Sequence, residues 1–168
     1  MHILETERLT LRRLTTDDAP FILELLNDAA FLRFIGDKGV RTLEDARQYI
    51  LQGPMLSYET LGFGLYLVTL KGKASPIGMC GLIKREVLED VDIGFAFLPD
   101  YRAGGYGTES ALAVRDYGMK VLGLKRILAI TNPDNAGSIR VLEKIGLKFD
   151  RMIRLTPDSP EIRLYRTE

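Results

Sequence analysis

Residues 98–109, LPDYRAGGYGTE, carry the most information about the fold of this 168-residue chain. A strand pattern ends at Pro99, three glycines follow within the four residues 104–107, and a helical pattern begins at once. The first N–H groups of a helix lack partners and carry a partial positive charge, and glycines let successive N–H groups converge without a Cβ between them. With the charge of Arg102 at its mouth, the loop is suited to a pyrophosphate. The alternative is a glycine-rich turn that only caps a helix.

Strand and helix patterns alternate on both sides of this loop. Strand patterns occur in seven segments, at residues 9–14, 63–71, 77–85, 91–98, 126–131, 147–155 and 162–167. Helical patterns occur at residues 15–29, 42–50, 105–122 and 135–145, whereas residues 53–61 are ambiguous. Within the third helix, the residues expected to face the core are Ala111, Val114, Gly118 and Val121.

The order of these segments predicts the fold class. The almost wholly apolar segment 126–131 is typical of a buried strand in a parallel pair, while the earlier strands follow one another as an antiparallel meander. We therefore expect one α/β domain over residues 1–168, with a mixed, mostly antiparallel central sheet of about seven strands and helices on both faces.

Composition argues against several classes of protein. Lys plus Arg and Asp plus Glu both total 23, so no basic excess suggests a nucleic-acid partner. No apolar run approaches the roughly 18 residues of a membrane span, and the first residues lack a secretory pattern. Cys80 is the only cysteine and His2 the only histidine, which disfavours a disulfide, a His-dependent nucleophile and a zinc site. We expect a cytoplasmic protein without a metal, a membrane or a nucleic acid as partner.

Several motifs, taken in order, are similar to those of the GNAT superfamily of N-acetyltransferases. Arg102-x-x-Gly105-x-Gly107 is similar to its [QR]-x-x-G-x-[GA] element, and residues 92–99, DIGFAFLP, look like its fourth strand. Residues 132–147, NPDNAGSIRVLEKIGL, look like its N-x-x-N-x-x-S-x-x-[LV]-x-K-x-G-F element. Residues 6–12, TERLTLR, resemble the start of the RimJ/RimL-like branch. The resemblance covers nearly the whole chain.

The resemblance implies where acetyl-CoA would bind. The fourth and fifth predicted strands, 91–98 and 126–131, would splay apart, with the pantetheine arm between them. Backbone groups near Phe97 and Leu98 would bind the amides of the arm, while Asn135 and Ser138 would lie across the gap. The pyrophosphate would be held by the loop residues Arg102, Ala103, Gly104, Gly105, Tyr106, Gly107 and Thr108. For Asn135 the structural alternative is a helix cap, and for Ser138 it is a small packing residue.

Asp92 is the candidate general base, because it matches the carboxylate that the RimJ/RimL-like branch usually carries before Ile-Gly-Tyr or Ile-Gly-Phe. On a regular strand it shares a face with two small residues, Gly94 and Ala96, which leaves room for a substrate. A reference pKa of about 3.9 is low for this role unless burial raises it or a water relays the proton. The alternative is a solvated or salt-bridged strand residue.

Two further chemical roles follow from the resemblance. A strand N–H within residues 95–97 would hold the developing oxyanion, especially if a β-bulge frees it. Relatives often carry a tyrosine acid where this chain has Leu142, so Ser138 is the candidate acid for the leaving thiolate.

The expected function is transfer of acetyl from acetyl-CoA to a primary amine by direct attack in a ternary complex. The acceptor would be a protein N-terminus or a small-molecule amine, and the enzyme a monomer or homodimer. A non-catalytic acyl-CoA-binding or regulatory domain is the alternative, since it would keep the glycine loop without needing Asp92. A phosphate-binding module for another nucleotide is a third possibility.

Overall fold

The computed structural model describes residues 2–168, with side chains from residue 3 onward. Within this range eight strands form one open sheet in the order β1-β2-β3-β4-β5-β6-β8-β7. They are β1 (His2–Glu5), β2 (Leu9–Arg13), β3 (Leu65–Leu70), β4 (Pro76–Ile83), β5 (Asp92–Phe97), β6 (Leu128–Thr131), β7 (Lys148–Ile153) and β8 (Ile162–Arg166). The β5–β6 pair is parallel and every other pair is antiparallel. The predicted mixed, mostly antiparallel α/β sheet is confirmed. The additional strand is β1, which is too short to show an alternation in the sequence.

Six α-helices lie within the same described range. They are α1 (Ala19–Leu26), α2 (Ala29–Phe34), α3 (Leu43–Ile50), α4 (Leu56–Leu61), α5 (Tyr106–Asp116) and α6 (Ala136–Lys144). None of them is both long and apolar enough to span a bilayer.

The first predicted helix is in fact two helices. The expected helix over residues 15–29 ends at Leu26, and α2 begins at Ala29 because the Asp28 carboxylate accepts hydrogen bonds from the N–H groups of Ala30 and Phe31, both at 3.1 Å. Side-chain oxygens that accept in this way start helices. The break matters because α2 forms one wall of the cavity described below.

Two helices contain wide π-helical turns, and each one alters what the sequence pattern predicts. The ambiguous residues 53–61 are helical: a π-helical turn at Leu51–Met55, with Pro54 inside it, leads into α4. Proline has no N–H to donate to the preceding turn, so the regular α-helical bond cannot form there. A second π-helical turn, Tyr117–Val121, follows α5 and changes the helical phase. The expectation that Val121 faces the core is therefore wrong, because it is 69% exposed.

Helices pack on both faces of the sheet, as predicted. One core cluster packs α5 and α6 against the sheet and includes Ile93, Phe97, Val114, Leu142 and Tyr165. The other packs α1 and α3 against the opposite face and includes Ile22, Leu25, Ile50, Leu67 and Met79. Residues of β5 alternate between these clusters, so the predicted alternation of its two faces is confirmed.

The sheet is splayed between β5 and β6. These strands are in register at a single residue pair, Asp92 and Leu128, next to a hydrogen bond of 2.9 Å from the Leu128 N–H to the Val91 carbonyl. No further β5–β6 pair is formed toward the carboxyl ends of the two strands. The splay implied between the fourth and fifth predicted strands is thus present between β5 and β6.

Gly81 tests how closely the β3 and β4 backbones approach. A Cβ on Gly81 would lie 2.1 Å from the Gly64 carbonyl oxygen and 2.6 Å from the Leu65 Cα, and neither backbone atom can move without disturbing β3. We expect Gly81→Ala to lower the free energy of unfolding by about 3 kcal/mol in urea denaturation. Gly53→Ala is the matched control, because a Cβ there has no neighbour within 4 Å. Equal stability of the two variants would contradict this account of the packing.

Candidate active site

A cavity of about 460 Å³ occupies the gap opened by the splay. It reaches both faces of the sheet, since residues of α2 and α3 line one side and residues of α6 line the other. Six of the residues singled out from the sequence line this cavity: Asp92, Phe97, Arg102, Gly107, Asn135 and Ser138. The other six, which do not line it, are Leu98, Ala103, Gly104, Gly105, Tyr106 and Thr108.

The edge of β5 presents backbone groups to the gap. The Leu98 N–H donates to the Ile77 carbonyl of β4 at 2.9 Å, so in this antiparallel pair the even-numbered residues of β5 bond to β4. The N–H and carbonyl groups of the odd-numbered residues, including Phe95 and Phe97, consequently point toward β6. Where β6 has moved away, these groups have no strand partner. The Phe97 carbonyl accepts from Arg102 instead, and the N–H groups of Phe95 and Phe97 and the Phe95 carbonyl are available to bond a ligand.

This geometry changes two expectations. The β4–β5 register is continuous, so the splay and not a bulge exposes the N–H groups near Phe95. Leu98 contributes neither backbone group to the gap, because its N–H bonds to Ile77 and its carbonyl accepts from the Tyr101 N–H at 2.9 Å. The expected contact of Leu98 with the pantetheine arm is therefore not supported through its backbone.

The glycine loop forms an uncapped helix start. Gly104 and Gly105 have φ values of +106° and +84°, a region that residues with a Cβ rarely adopt. Gly105 is the N-cap residue of α5 and provides no side chain to cap it. Within residues 2–168, no acceptor bonds to the N–H groups of Tyr106, Gly107 or Thr108. The start of this 11-residue helix is accordingly able to bind an anion.

The contacts of Arg102 differ from those expected from the sequence. Its Nε donates to the Phe97 carbonyl at 3.1 Å, and its Nη2 is paired with the Asp28 carboxylate. The guanidinium therefore connects the loop to the start of α2 and does not stand as an unpaired charge at the mouth. The sequence did not reveal Asp28 as the partner, because 74 residues separate the two.

The opening TERL motif lies against the loop. Glu109, in the first turn of α5, accepts from the Thr6 hydroxyl at 2.5 Å, from the Arg8 N–H at 2.9 Å and from the Arg8 Nε at 2.7 Å. The Arg8 guanidinium lies 4.4 Å from the centre of the Tyr106 ring. Arg8 thus offsets the charge of Glu109 beside the uncapped start of α5. In the sequence this motif indicated only a resemblance to a family. In the structure, Thr6 and Arg8 hold the first turn of α5 through Glu109.

Asp92 is buried and paired. Its carboxylate is 1% exposed, and the Nε of Arg85 donates to its two oxygens at 3.1 and 3.3 Å. Burial raises the pKa of Asp92 to about 6 even though the charge of Arg85 opposes the shift. Asp92 is therefore not a solvated strand residue; it is a salt-bridged carboxylate whose pKa lies within two units of neutrality. Sequence reasoning missed Arg85, and the only signal was its place just beyond β4, opposite the start of β5.

The start of α6 forms the far side of the gap. The Asn135 side-chain oxygen accepts from the Ser138 N–H at 3.2 Å, so Asn135 caps α6 while also lining the cavity. The hydroxyl of Ser138 makes no hydrogen bond within the described residues and is half-buried at the cavity wall. Leu142, one turn further along, also lines the cavity and provides no polar group.

Comparisons with known proteins agree with this geometry. The family model described as "Acetyltransferase (GNAT) domain" matches residues 8–148. An uncharacterized N-acetyltransferase of Bacillus subtilis, YnaD, is 32% identical over 148 residues, which cover 88% of this chain and 83% of YnaD.

Solved structures give the same picture. A GNAT-family acetyltransferase from Bacillus anthracis is 29% identical, with a TM-score of 0.81 and coverage of 99% of this chain and 97% of that one. RimL, a ribosomal L7/L12 α-N-protein acetyltransferase solved in complex with coenzyme A, has a TM-score of 0.84 over 99% of this chain and 97% of its own. Its identity is only 17%, so it supports the fold alone. A family model over most of the chain and a relative above 30% identity show that this chain is an acyltransferase belonging to the GNAT acetyltransferase family.

Proposed function

We propose that this enzyme transfers acetyl from acetyl-CoA to a primary amine by direct attack in a ternary complex, with the co-substrate in the gap between β5 and β6. The observation that carries the proposal is the joint presence, around one cavity, of an uncapped helix start and a buried carboxylate with a raised pKa. A non-catalytic acyl-CoA-binding domain would need the helix start but would gain nothing from burying Asp92.

The residues present fit acetyl-CoA. The N–H groups at the start of α5 match a pyrophosphate in charge and direction, and the unpaired edge of β5 matches the amides of a pantetheine arm. Arg102 contributes by holding the loop to α2 and the Phe97 carbonyl. When bound, acetyl-CoA supplies the thioester carbonyl that the amine attacks.

Asp92 is proposed as the base that removes a proton from the incoming ammonium, directly or through a water. With a pKa of about 6 it is mostly ionised at pH 7 and more basic than an exposed aspartate. Arg85 holds the carboxylate in place through Nε, which fixes the direction of its free lone pairs. The base therefore combines a usable pKa with a fixed position.

The N–H of Phe95 is proposed to stabilise the negative charge that develops on the carbonyl oxygen, because it points into the gap without a strand partner. Ser138, which lines the same cavity, is proposed to donate a hydrogen bond to the leaving sulfur. A thiol with a pKa of about 8.5 leaves readily near neutral pH, so we assign Ser138 mainly to positioning.

The acceptor is an amine of a small molecule or of a protein N-terminus. RimL acts on the N-terminus of a ribosomal protein, but it shares only the fold with this chain.

Gly107 tests the cofactor site without straining the backbone. A Cβ there would lie 3.6 Å from Val141 Cγ2 and 4.0 Å from Phe97 Cε1, so alanine fits while the branches of valine would enter the gap. We expect Gly107→Val to weaken acetyl-CoA binding at least about tenfold by calorimetric titration, whereas Gly107→Ala stays within about threefold. Gly105 is less suitable, because any side chain is strained at its φ of +84°. Unchanged affinity in Gly107→Val would show that acetyl-CoA does not bind in this gap.

Asp92→Asn tests the general base. We expect turnover at pH 7 to fall on the order of 10²-fold while the dissociation constant for acetyl-CoA is nearly unchanged. In the unmodified enzyme the rate should rise through pH 6 as Asp92 loses its proton. The variant should keep only the rise at higher pH that comes from deprotonation of the acceptor amine.

Asp90→Asn is the control for this experiment, since Asp90 lies two residues away with a side chain that is 38% exposed. Its turnover should remain within about twofold. If Asp92→Asn behaved like Asp90→Asn at pH 7, Asp92 would be a structural residue.

Ser138→Ala separates positioning from acid catalysis. If Ser138 only positions the co-substrate, the substitution should lose about 1 kcal/mol, mainly from the binding free energy of acetyl-CoA. Turnover at saturating acetyl-CoA should then fall less than about tenfold. Ser75→Ala, in the exposed turn before β4, is the control. A fall in turnover of 10²-fold or more would instead identify Ser138 as the acid.

A further inference from the structure

The cavity has an aromatic and apolar wall on the same side of the sheet as Asp92. This wall comes from α2, α3 and β4, and its members are Phe31, Phe34, Ile35, Tyr49, Met79 and Ile83. Because β5 directs Asp92, Gly94 and Ala96 to this face, an amine that reaches the Asp92 carboxylate lies against this wall. The wall therefore contacts the part of the acceptor that carries the amine, and it favours an apolar or aromatic group there.

The charged groups that line the cavity are unequal in sign. Lys38, Arg85 and Arg102 line it as cations, and Asp92 is the only acidic residue among the described lining residues. Arg102 is paired with Asp28, and Arg85 is paired with Asp92. Lys38, in the segment between α2 and α3, forms no salt bridge within residues 2–168. Desolvation and then the nearby charge of Arg85 lower the pKa of Lys38, which is consistent with two cations sharing one region.

Arg85 has hydrogen-bonding capacity left over. Only its Nε donates to Asp92, and within the described chain its two terminal nitrogens bond to no protein atom. A guanidinium with both terminal nitrogens available matches a carboxylate in geometry and charge. Arg85 therefore offers an anion site directly beside the carboxylate that is proposed to receive the amine.

On the basis of the proposed function, we infer that the acceptor is an amino acid with an apolar or aromatic side chain, whose amine binds at Asp92 and whose carboxylate binds between Arg85 and Lys38. The Arg85–Asp92 bond makes the two binding groups neighbours, so the amine and the anion of the acceptor are separated by very few atoms. A free α-amino acid meets this requirement. A polyamine does not, since its second ammonium would approach Lys38 and Arg85.

The test compares three amines that differ only at the carboxylate with one polyamine. They are phenylalanine, phenylalanine amide, phenethylamine and spermidine, assayed by thiol release at saturating acetyl-CoA. We expect kcat/KM for phenylalanine to exceed that for each of the other three by about tenfold or more, because only phenylalanine carries both the carboxylate and the ring. The anion could also be the side-chain carboxylate of an acidic residue at a peptide N-terminus. The dipeptide Asp-Phe represents this class, and it should be a poorer substrate than phenylalanine.

Substitution of Lys38 tests whether the preference for a carboxylate over an amide arises at this site. Lys38→Met keeps most of the apolar stem, and it should lower the ratio of kcat/KM for the acid to kcat/KM for the amide about tenfold, mainly through KM. Lys38→Glu should lower the same ratio further. Lys73→Met, in an exposed turn, is the control and should leave the ratio unchanged.

The possible failures are distinguishable. The inferred acceptor class is wrong if phenethylamine, the amide, the dipeptide or spermidine has a kcat/KM equal to that of phenylalanine. It is also wrong if substitution of Lys38 leaves the acid-to-amide ratio of kcat/KM unchanged. In both cases the acetyltransferase activity stands. If acetyl-CoA binds by calorimetry but no amine in the panel releases thiol, the inferred acceptor class is wrong, while the proposed acetyl-CoA site stands.

Discussion

The structure depends on the separation of β5 from β6 immediately after their only residue pair. A parallel pair that continued would have used the N–H and carbonyl groups of Phe95 and Phe97 and closed the gap between β5 and β6. Because the strands diverge, an edge of hydrogen-bonding groups lies inside the protein and not at the margin of the sheet. The uncapped start of α5 lies above this edge, and Asn135 and Ser138 lie across from it. The cavity and the free hydrogen-bonding edge of β5 are both consequences of this separation.

The general architecture could be predicted because it depends on local patterns. The strand β6 is short and apolar, the glycines at 104 and 105 permit the positive φ values found there, and Asn135 caps the helix that follows it. Each of these signals involves neighbours along the chain. The inward face at the end of α5 could not be predicted, because the π-helical turn there departs from the ideal helical period on which the prediction rested.

The ionic contacts of the site could not be predicted for a different reason. Arg102 and Asp28 are 74 residues apart, and Arg8 and Glu109 are 101 residues apart. No local pattern distinguishes a charged residue that will be paired from one that will be solvated. The sequence therefore indicated Arg102 and Asp92 as relevant, but the partners that determine their chemistry, Asp28 and Arg85, became visible only in three dimensions. For the same reason, the sequence could not show that Lys38 lines the cavity.

The burial of Asp92 has a consequence for the stability of the protein. An unfolded aspartate has a pKa of about 3.9, whereas Asp92 in the folded chain has a pKa of about 6. Between these values the folded state holds a proton that the unfolded state has released, so the free energy of unfolding falls as pH rises through this window. Two units of pKa correspond to about 3 kcal/mol, a substantial part of the stability of an ordinary domain. The ionisation that activates the base therefore lowers the contribution of Asp92 to stability, and this contribution is greatest at a pH below the one at which the base is active.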